Sequence, residues 1–198
     1  MKDTAKASLR ERTRQAMRAE VSAVATRLFA EQGCDNTTVE QIAAEAGLSR
    51  TTFFRYFGTK EDVVLTWLED LGPALAGAFA ERPADEHPWR SLRRAFDVLT
   101  RINADAPEHS LAFLRMIEAN PTMAARHRGK QQAWEELLVP LVAARLPGDL
   151  PADRDPAPRA LVASAVACLN AAMRAWAAGD GAGSRDALLD RAMNAPLG

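Results

Sequence analysis

Apolar residues return every third or fourth position along almost the whole of this chain, and that period limits what it can fold into. Met17, Val21, Val24 and Leu28 form one stripe, Val39, Ile42, Ala43 and Ala46 a second, and Val64, Trp67, Leu68, Leu71 and Leu75 a third. The pattern continues through Leu92, Phe96 and Leu99, through Trp134, Leu138, Leu141 and Val142, and through Val162, Val166, Leu169, Met173 and Trp176. Each stripe is the buried face of an amphipathic helix. Strands would show period-2 runs, β-branched clusters and hairpin turns, and none of these is present. The chain is predicted to be all-α.

Glycine, proline and capping residues cut the pattern into about nine helices. The first, roughly 10–32, stops at Gly33. The second opens on Thr37-Thr38-Val39-Glu40, a capping-box spacing in which Glu40 is expected to reach back to the cap, and closes at Gly47. Ser49 caps the third, and Thr59-Lys60-Glu61-Asp62 starts the fourth with acids in its first turn. Gly72-Pro73 is expected to bend or break that helix. Residues 147–156 read as a loop.

Residues 1–60 hold 10 Lys+Arg against 7 Asp+Glu, and residues 61–198 hold 15 against 19. A basic head on an acidic body predicts two domains with different partners, 1–60 and 61–198, the head carrying a basic arm over 1–12 that includes Lys2, Lys6 and Arg10. Cys34 and Cys168 are too few and too far apart for a disulfide framework, which fits a reducing, cytoplasmic setting. No stretch approaches the run of about 18 uninterrupted apolar residues that would read as a span, so no membrane partner is expected.

Residues 37–60 carry the chemistry. Two short helices joined through a glycine turn make a helix-turn-helix, whose second helix reads the major groove. That helix is Ser49-Arg50-Thr51-Thr52-Phe53-Phe54-Arg55-Tyr56-Phe57. Phe53 and Phe57, four apart, are expected to face inward, leaving Arg50, Thr51 and Thr52 toward base edges. Arginine can fork to guanine, and threonine can hydrogen-bond or touch a thymine methyl. Arg55, Tyr56 and Lys60 suit phosphate, as do Thr37 and Thr38 at the start of the second helix.

With these residues in view, residues 13–65 resemble the DNA-binding domain of TetR-family transcriptional regulators. The likeness rests on Ala25-Thr26-Arg27-Leu28-Phe29, Glu31-Gln32-Gly33, Thr37-Thr38-Val39-Glu40-Gln41-Ile42-Ala43, Ala46-Gly47-Leu48-Ser49, Phe53-Phe54-Arg55-Tyr56-Phe57 and Lys60-Glu61-Asp62-Val63. It implies a dimeric, ligand-responsive regulator, usually a repressor, with double-stranded DNA as partner and a C-terminal helical domain that binds a small molecule. It also implies that Arg50, Thr51 and Thr52 face bases while Arg55, Tyr56 and Lys60 lean on the backbone. Phe54 departs from the tyrosine of many members and receives no polar contact. A looser likeness, carried by Arg82-Pro83-Ala84-Asp85, Ala119-Asn120-Pro121 and Gln132-Ala133-Trp134-Glu135-Glu136-Leu137, points to the subgroup that includes the mycofactocin-system regulator. That subgroup implies an acyl-CoA-like ligand.

A ligand pocket is expected among the middle helices. Its candidate aromatic walls are Trp67, Phe79, Phe96, Phe113 and Trp134, and its aliphatic and thioether walls are Leu99, Met116, Ile117, Leu138 and Met173. Asn170 and Arg115 are its candidate polar groups, although pairing with Glu118 or snorkelling is the favoured role for Arg115. The alanine-rich eighth helix and the ninth suggest a homodimer seam through Ala165, Cys168, Ala172, Trp176, Leu188, Leu189 and Ala192, although the same spacing suits a buried central helix. The three histidines do not cluster at metal spacing, and no metal or cofactor is expected. No nucleophile stands with a base, so a regulator is favoured over an enzyme. A helical small-molecule-binding protein or an enzyme using the C-terminal pocket stays open as the alternative.

Overall fold

The structure is a computed structural model of the chain. It describes residues 2–102, 104, 107–147 and 154–195, without the side chains of residues 2–11 and 15. The basic side chains of Lys2, Lys6 and Arg10 and most of the loop expected at 147–156 lie outside the described residues. Among the described residues there are helices and turns and no strand.

The helices are α1 (Lys2–Gln32), α2 (Val39–Glu45), α3 (Arg50–Tyr56), α4 (Lys60–Leu65), α5 (Trp67–Ala80), α6 (Pro88–Ala95), α7 (Asp97–Thr100), α8 (Pro107–Ala119), α9 (Pro121–Ala143), α10 (Ala157–Ala178) and α11 (Arg185–Asn194). Two junctions are single residues with helical torsions: Thr66 (φ −58, ψ −39) and Phe96 (φ −69, ψ −9). With those joined, the segments among the described residues reduce to nine rods, the number expected. Helix α1 begins at Lys2 rather than near residue 10, because no glycine or proline interrupts Lys2–Gln32.

The expected break at Gly72-Pro73 does not occur. Helix α5 runs through Pro73, and the interruption falls at Thr66, whose hydroxyl donates to the Asp62 carbonyl at 2.8 Å. Packing explains the tolerance: Gly72 is buried, and a Cβ there would stand 3.0 Å from both Trp134 Cδ1 and Leu137 Cδ1. Glycine lets Trp134 and Leu137 of α9 approach the helix closely beside the proline.

The chain divides into two compact units, Met1–Leu68 and Glu69–Gly198. The first unit extends past residue 60 because Val63, Val64 and Leu65 of α4 are buried, and α4 packs on α1. Val21, Ala25, Leu28, Phe29, Ile42, Phe53 and Phe57 complete its core. Arg27 of α1 pairs with Glu31 at 3.2 Å and with Glu45 of α2. Cys34 is buried with its thiol toward Glu61, and burial with that carboxylate pushes its pKa up to about 11.

In the second unit α10 is central, packed by α6, α8, α9 and α11. By length and composition alone residues 60–80 and 157–178 could cross a membrane; residues 157–178 instead supply Val162, Ala165, Val166, Leu169, Ala172 and Trp176 to a protein core. Arg93 of α6, itself buried, ties that helix to Asp97 and to Asp186 and Asp190 of α11. Trp89 Nε1 donates to the Met193 carbonyl at 3.1 Å. Arg145, just past α9, donates to the carbonyls of Phe79, Ala80, Arg82 and Pro83 and lies 4.5 Å over the Phe79 ring, closing the end of α5.

Candidate nucleic-acid interface

Helix α2 starts where Thr38 accepts a hydrogen bond from the Gln41 amide at 3.2 Å, while Gln41 Oε1 accepts from the Thr38 amide at 2.8 Å. The capping box is real but one residue out of the expected register, since Gln41 and not Glu40 closes it. The helix ends in a Schellman motif: Leu48 N–H donates to the Ala43 carbonyl at 2.7 Å and Gly47 N–H to that of Ala44 at 3.1 Å. Gly47 sits at φ +66, where a side chain is strained. Ser49 follows at once as the cap of α3, its hydroxyl accepting from Thr52 N–H at 3.1 Å. The Ile42, Ala43 and Ala44 carbonyls and the Thr52 and Phe53 amides thus find local partners at the turn between α2 and α3.

Phe53 and Phe57 are buried in the first unit, their rings 5.2 Å apart. That anchoring turns Arg50, Thr51 and Arg55 fully outward, with Thr52 and Tyr56 half-exposed beside them. The Thr52 hydroxyl accepts from Ser49 at 2.9 Å, which leaves its own proton and methyl to offer. The Arg55 guanidinium lies 5.0 Å over the Tyr56 ring. Arg50 pairs through Nε with Glu40 of α2 at 3.1 Å. Sequence reasoning did not find that pair, because Glu40 had been given to the cap.

Two expected phosphate ligands are otherwise engaged. Thr37 is buried, and its hydroxyl donates to the Gly33 carbonyl at 2.8 Å while accepting from Gln32 Nε2 at 3.1 Å. The Lys60 ammonium donates to the carbonyls of Cys34, Asp35 and Thr37, fastening α4 to the loop before α2. Those carbonyls carry no charge, but together they use the donors an ammonium has. Thr38 is exposed with its hydroxyl in the cap.

In the second unit the candidate pocket residues separate by burial. Phe79, Phe96 and Leu138 are fully enclosed, and Trp134 and Ile117 nearly so. Leu99, Phe113, Met116, Met173 and Asn170 are half-buried. Trp67 belongs to the first unit. Arg115 does not turn inward: it is exposed and pairs with Asp180 rather than with Glu118. Asn170 and Gln131 satisfy each other, each amide donating to the other's oxygen at 2.7 and 3.1 Å. His127 stands edge-on to Phe113, and burial followed by the nearby Arg128 charge pushes its pKa down to about 4.

The residues expected at the dimer seam differ in burial within the protomer. Ala165, Ala172, Trp176 and Leu189 are enclosed within the protomer, at most 2% exposed. Cys168, Leu188 and Ala192 are half-buried, with Cys168 Sγ 3.3 Å from the Ala192 carbonyl. Helix α10 packs on α11 within one chain, and its buried face includes Ala165, Ala172 and Ala177 among larger apolar residues. The alanines that face out are Ala157, Ala160, Ala163, Ala167, Ala171, Ala175 and Ala178.

A glycine-turned helix pair with arginine and threonine on the outer face of an anchored second helix defines a helix-turn-helix DNA-binding protein. Residues 22–66 match the family model described as bacterial regulatory proteins, tetR family, and residues 86–195 the one described as MftR C-terminal domain. The chain belongs to the TetR family of bacterial transcriptional regulators. It is 35% identical over 175 residues to the HTH-type transcriptional regulator TcmR of Streptomyces glaucescens, covering 85% of this chain and 76% of that one. It is 28% identical to the regulator EthR of Mycolicibacterium smegmatis, over 64% of this chain and 59% of that one. Thermus thermophilus FadR, a repressor crystallised with lauroyl-CoA, shares the fold with a TM-score of 0.59 and 24% identity, covering 91% of this chain and 93% of that one.

Proposed function

We propose that the chain represses transcription as a homodimer on a pseudo-palindromic operator and is released by an apolar, acyl-type ligand. The first unit is the DNA-binding domain and the second the ligand-binding and dimerisation domain. The observation that carries the DNA part is the division of α3 between the buried Phe53 and Phe57 and the outward Arg50, Thr51 and Arg55. In this reading Arg50, Thr51 and Thr52 meet base edges, and Arg55, Tyr56 and Thr38 meet phosphates. The family match favours a cytoplasmic regulator over an enzyme.

Two identical readers on one face of DNA need half-sites about one helical turn, or a multiple of it, apart. The outward alanines of α10 supply a seam where two such helices can approach closely. For the ligand, support comes from the match to the MftR C-terminal domain and from half-buried Leu99, Phe113, Met116 and Met173, an apolar and adaptable set. An equilibrium between DNA-competent and released states then shifts by the ligand's differential affinity for the two.

The test is selection of random duplexes by the purified full chain, followed by titration with dodecanoyl-CoA. A two-fold motif is expected, with selectivity lost in Arg50→Ala and Thr52→Ala and retention on DNA lowered by the acyl compound. Absence of any enriched motif sinks the regulator reading. A motif bound equally with and without dodecanoyl-CoA sinks only the ligand class.

A further inference from the structure

Arg50 is the first residue of α3, and its side chain is held at two points by the protein itself. Its Nε lies 3.1 Å from Glu40 Oε1 in an ion pair, with the two side chains 69% and 57% exposed. Its guanidinium carbon also stands 5.6 Å from the centre of the Phe54 ring. Phe54 is one of two large hydrophobic residues the chain exposes among the described residues. Its ring meets Phe53 edge-on at 5.6 Å, so the buried Phe53 holds it in place.

We propose that Glu40 and Phe54 are positioning residues that aim Arg50 at a guanine edge; the inference rests on the DNA-binding reading above. A guanidinium recognises guanine O6 and N7 through two parallel N–H groups in a fixed plane. An arginine whose carboxylate partner stands at its Nε edge keeps its two terminal amino groups for that fork. No described residue pairs with those groups. The Phe54 face attracts the cation and fixes the plane of the ring of donors. The long arginine side chain is thereby narrowed to few rotamers before DNA arrives, so less freedom is lost on contact.

The charge of Glu40 makes this separable from ordinary surface pairing. A carboxylate on a face that meets a polyanion weakens binding to every sequence. Glu40 therefore lowers overall affinity while sharpening the choice of base, and a mutation moves the two in opposite directions. A plain solvated ion pair would change affinity alone.

The experiment compares wild type, Arg50→Ala, Glu40→Ala, Glu40→Gln and Phe54→Leu by random-duplex selection and by titration of an unrelated duplex, with thermal midpoints as a control. All substituted side chains are exposed, so folded proteins are expected. Arg50→Ala should erase one guanine of the motif. Glu40→Ala and Phe54→Leu should lower preference for that guanine by roughly tenfold, the scale of one bidentate contact. Glu40→Ala should also bind the unrelated duplex more tightly. Glu40→Gln removes the charge that attracts the guanidinium, so it should lower preference for the guanine as Glu40→Ala does and also gain general affinity. A motif whose guanine survives both Glu40→Ala and Phe54→Leu overturns the clamp alone, as does one untouched by Arg50→Ala. A wild type that enriches no motif overturns both the clamp and the DNA-binding reading.

Discussion

Lys60 looks like a phosphate ligand in the sequence, because an ammonium beside a reader helix has that chemistry. In the fold it bonds three backbone carbonyls of the loop leading into α2. Lys60→Met is expected to leave those acceptors partly unsatisfied and to lower stability by about 1–3 kcal/mol. The slope of DNA affinity against salt should match wild type, because no phosphate contact is removed. A slope smaller by about one unit, with unchanged stability, would return Lys60 to the phosphate. His127 carries a second residue-scale expectation. Its pKa in the fold is near 4, against an ordinary 6.5. Between those values the unfolded chain takes up a proton that the folded one refuses, so stability falls as pH drops through that window. Urea midpoints at pH 7 and pH 4.5 should differ less in His127→Gln than in wild type.

At the scale of elements, the stripes of Leu28, Ile42, Val64, Leu138 and Val162 placed most helices correctly, because burial imposes its period directly on the sequence. Gly33 and Gly47 marked ends for the same reason: both adopt positive φ, which few other residues tolerate. What could not be read was long-range. Pro73 signals a break only until Gly72 is seen against Trp134 and Leu137, neighbours more than sixty residues away. Thr37 and Thr38 are chemically alike, and only the register of the cap shows that one is buried and the other exposed. The inner and outer alanines of α10 are likewise indistinguishable until α9 and α11 are in place. Gly72→Ala should gain helix propensity but press a methyl into the buried Trp134, a net loss on the order of 1 kcal/mol. Chemical denaturation would measure it, and a stabilised variant would show that Trp134 has room to move.

At the scale of the whole molecule, the proposed seam on the outward face of α10 is what would let two readers act together. Placing glutamates at Ala167 and Ala171 puts like charges across a two-fold seam without touching the core. Sedimentation is expected to show dissociation of the dimer, with helical content unchanged and operator affinity lost. A dimer that survives both substitutions would place the seam on another face.

The setting of the two cysteines has a practical consequence for that experiment. A thiol with its pKa near 11, as at Cys34, is ionised in only about one molecule in 10⁴ at neutral pH. Burial raises Cys168 as well. Maleimide dyes and nitroxides attack the thiolate, so the native chain should stay almost unlabelled while a cysteine introduced on an exposed position reacts first. Spectroscopic rulers can therefore be attached to the otherwise unaltered protein, and the separation of two reader helices followed as an acyl compound is added.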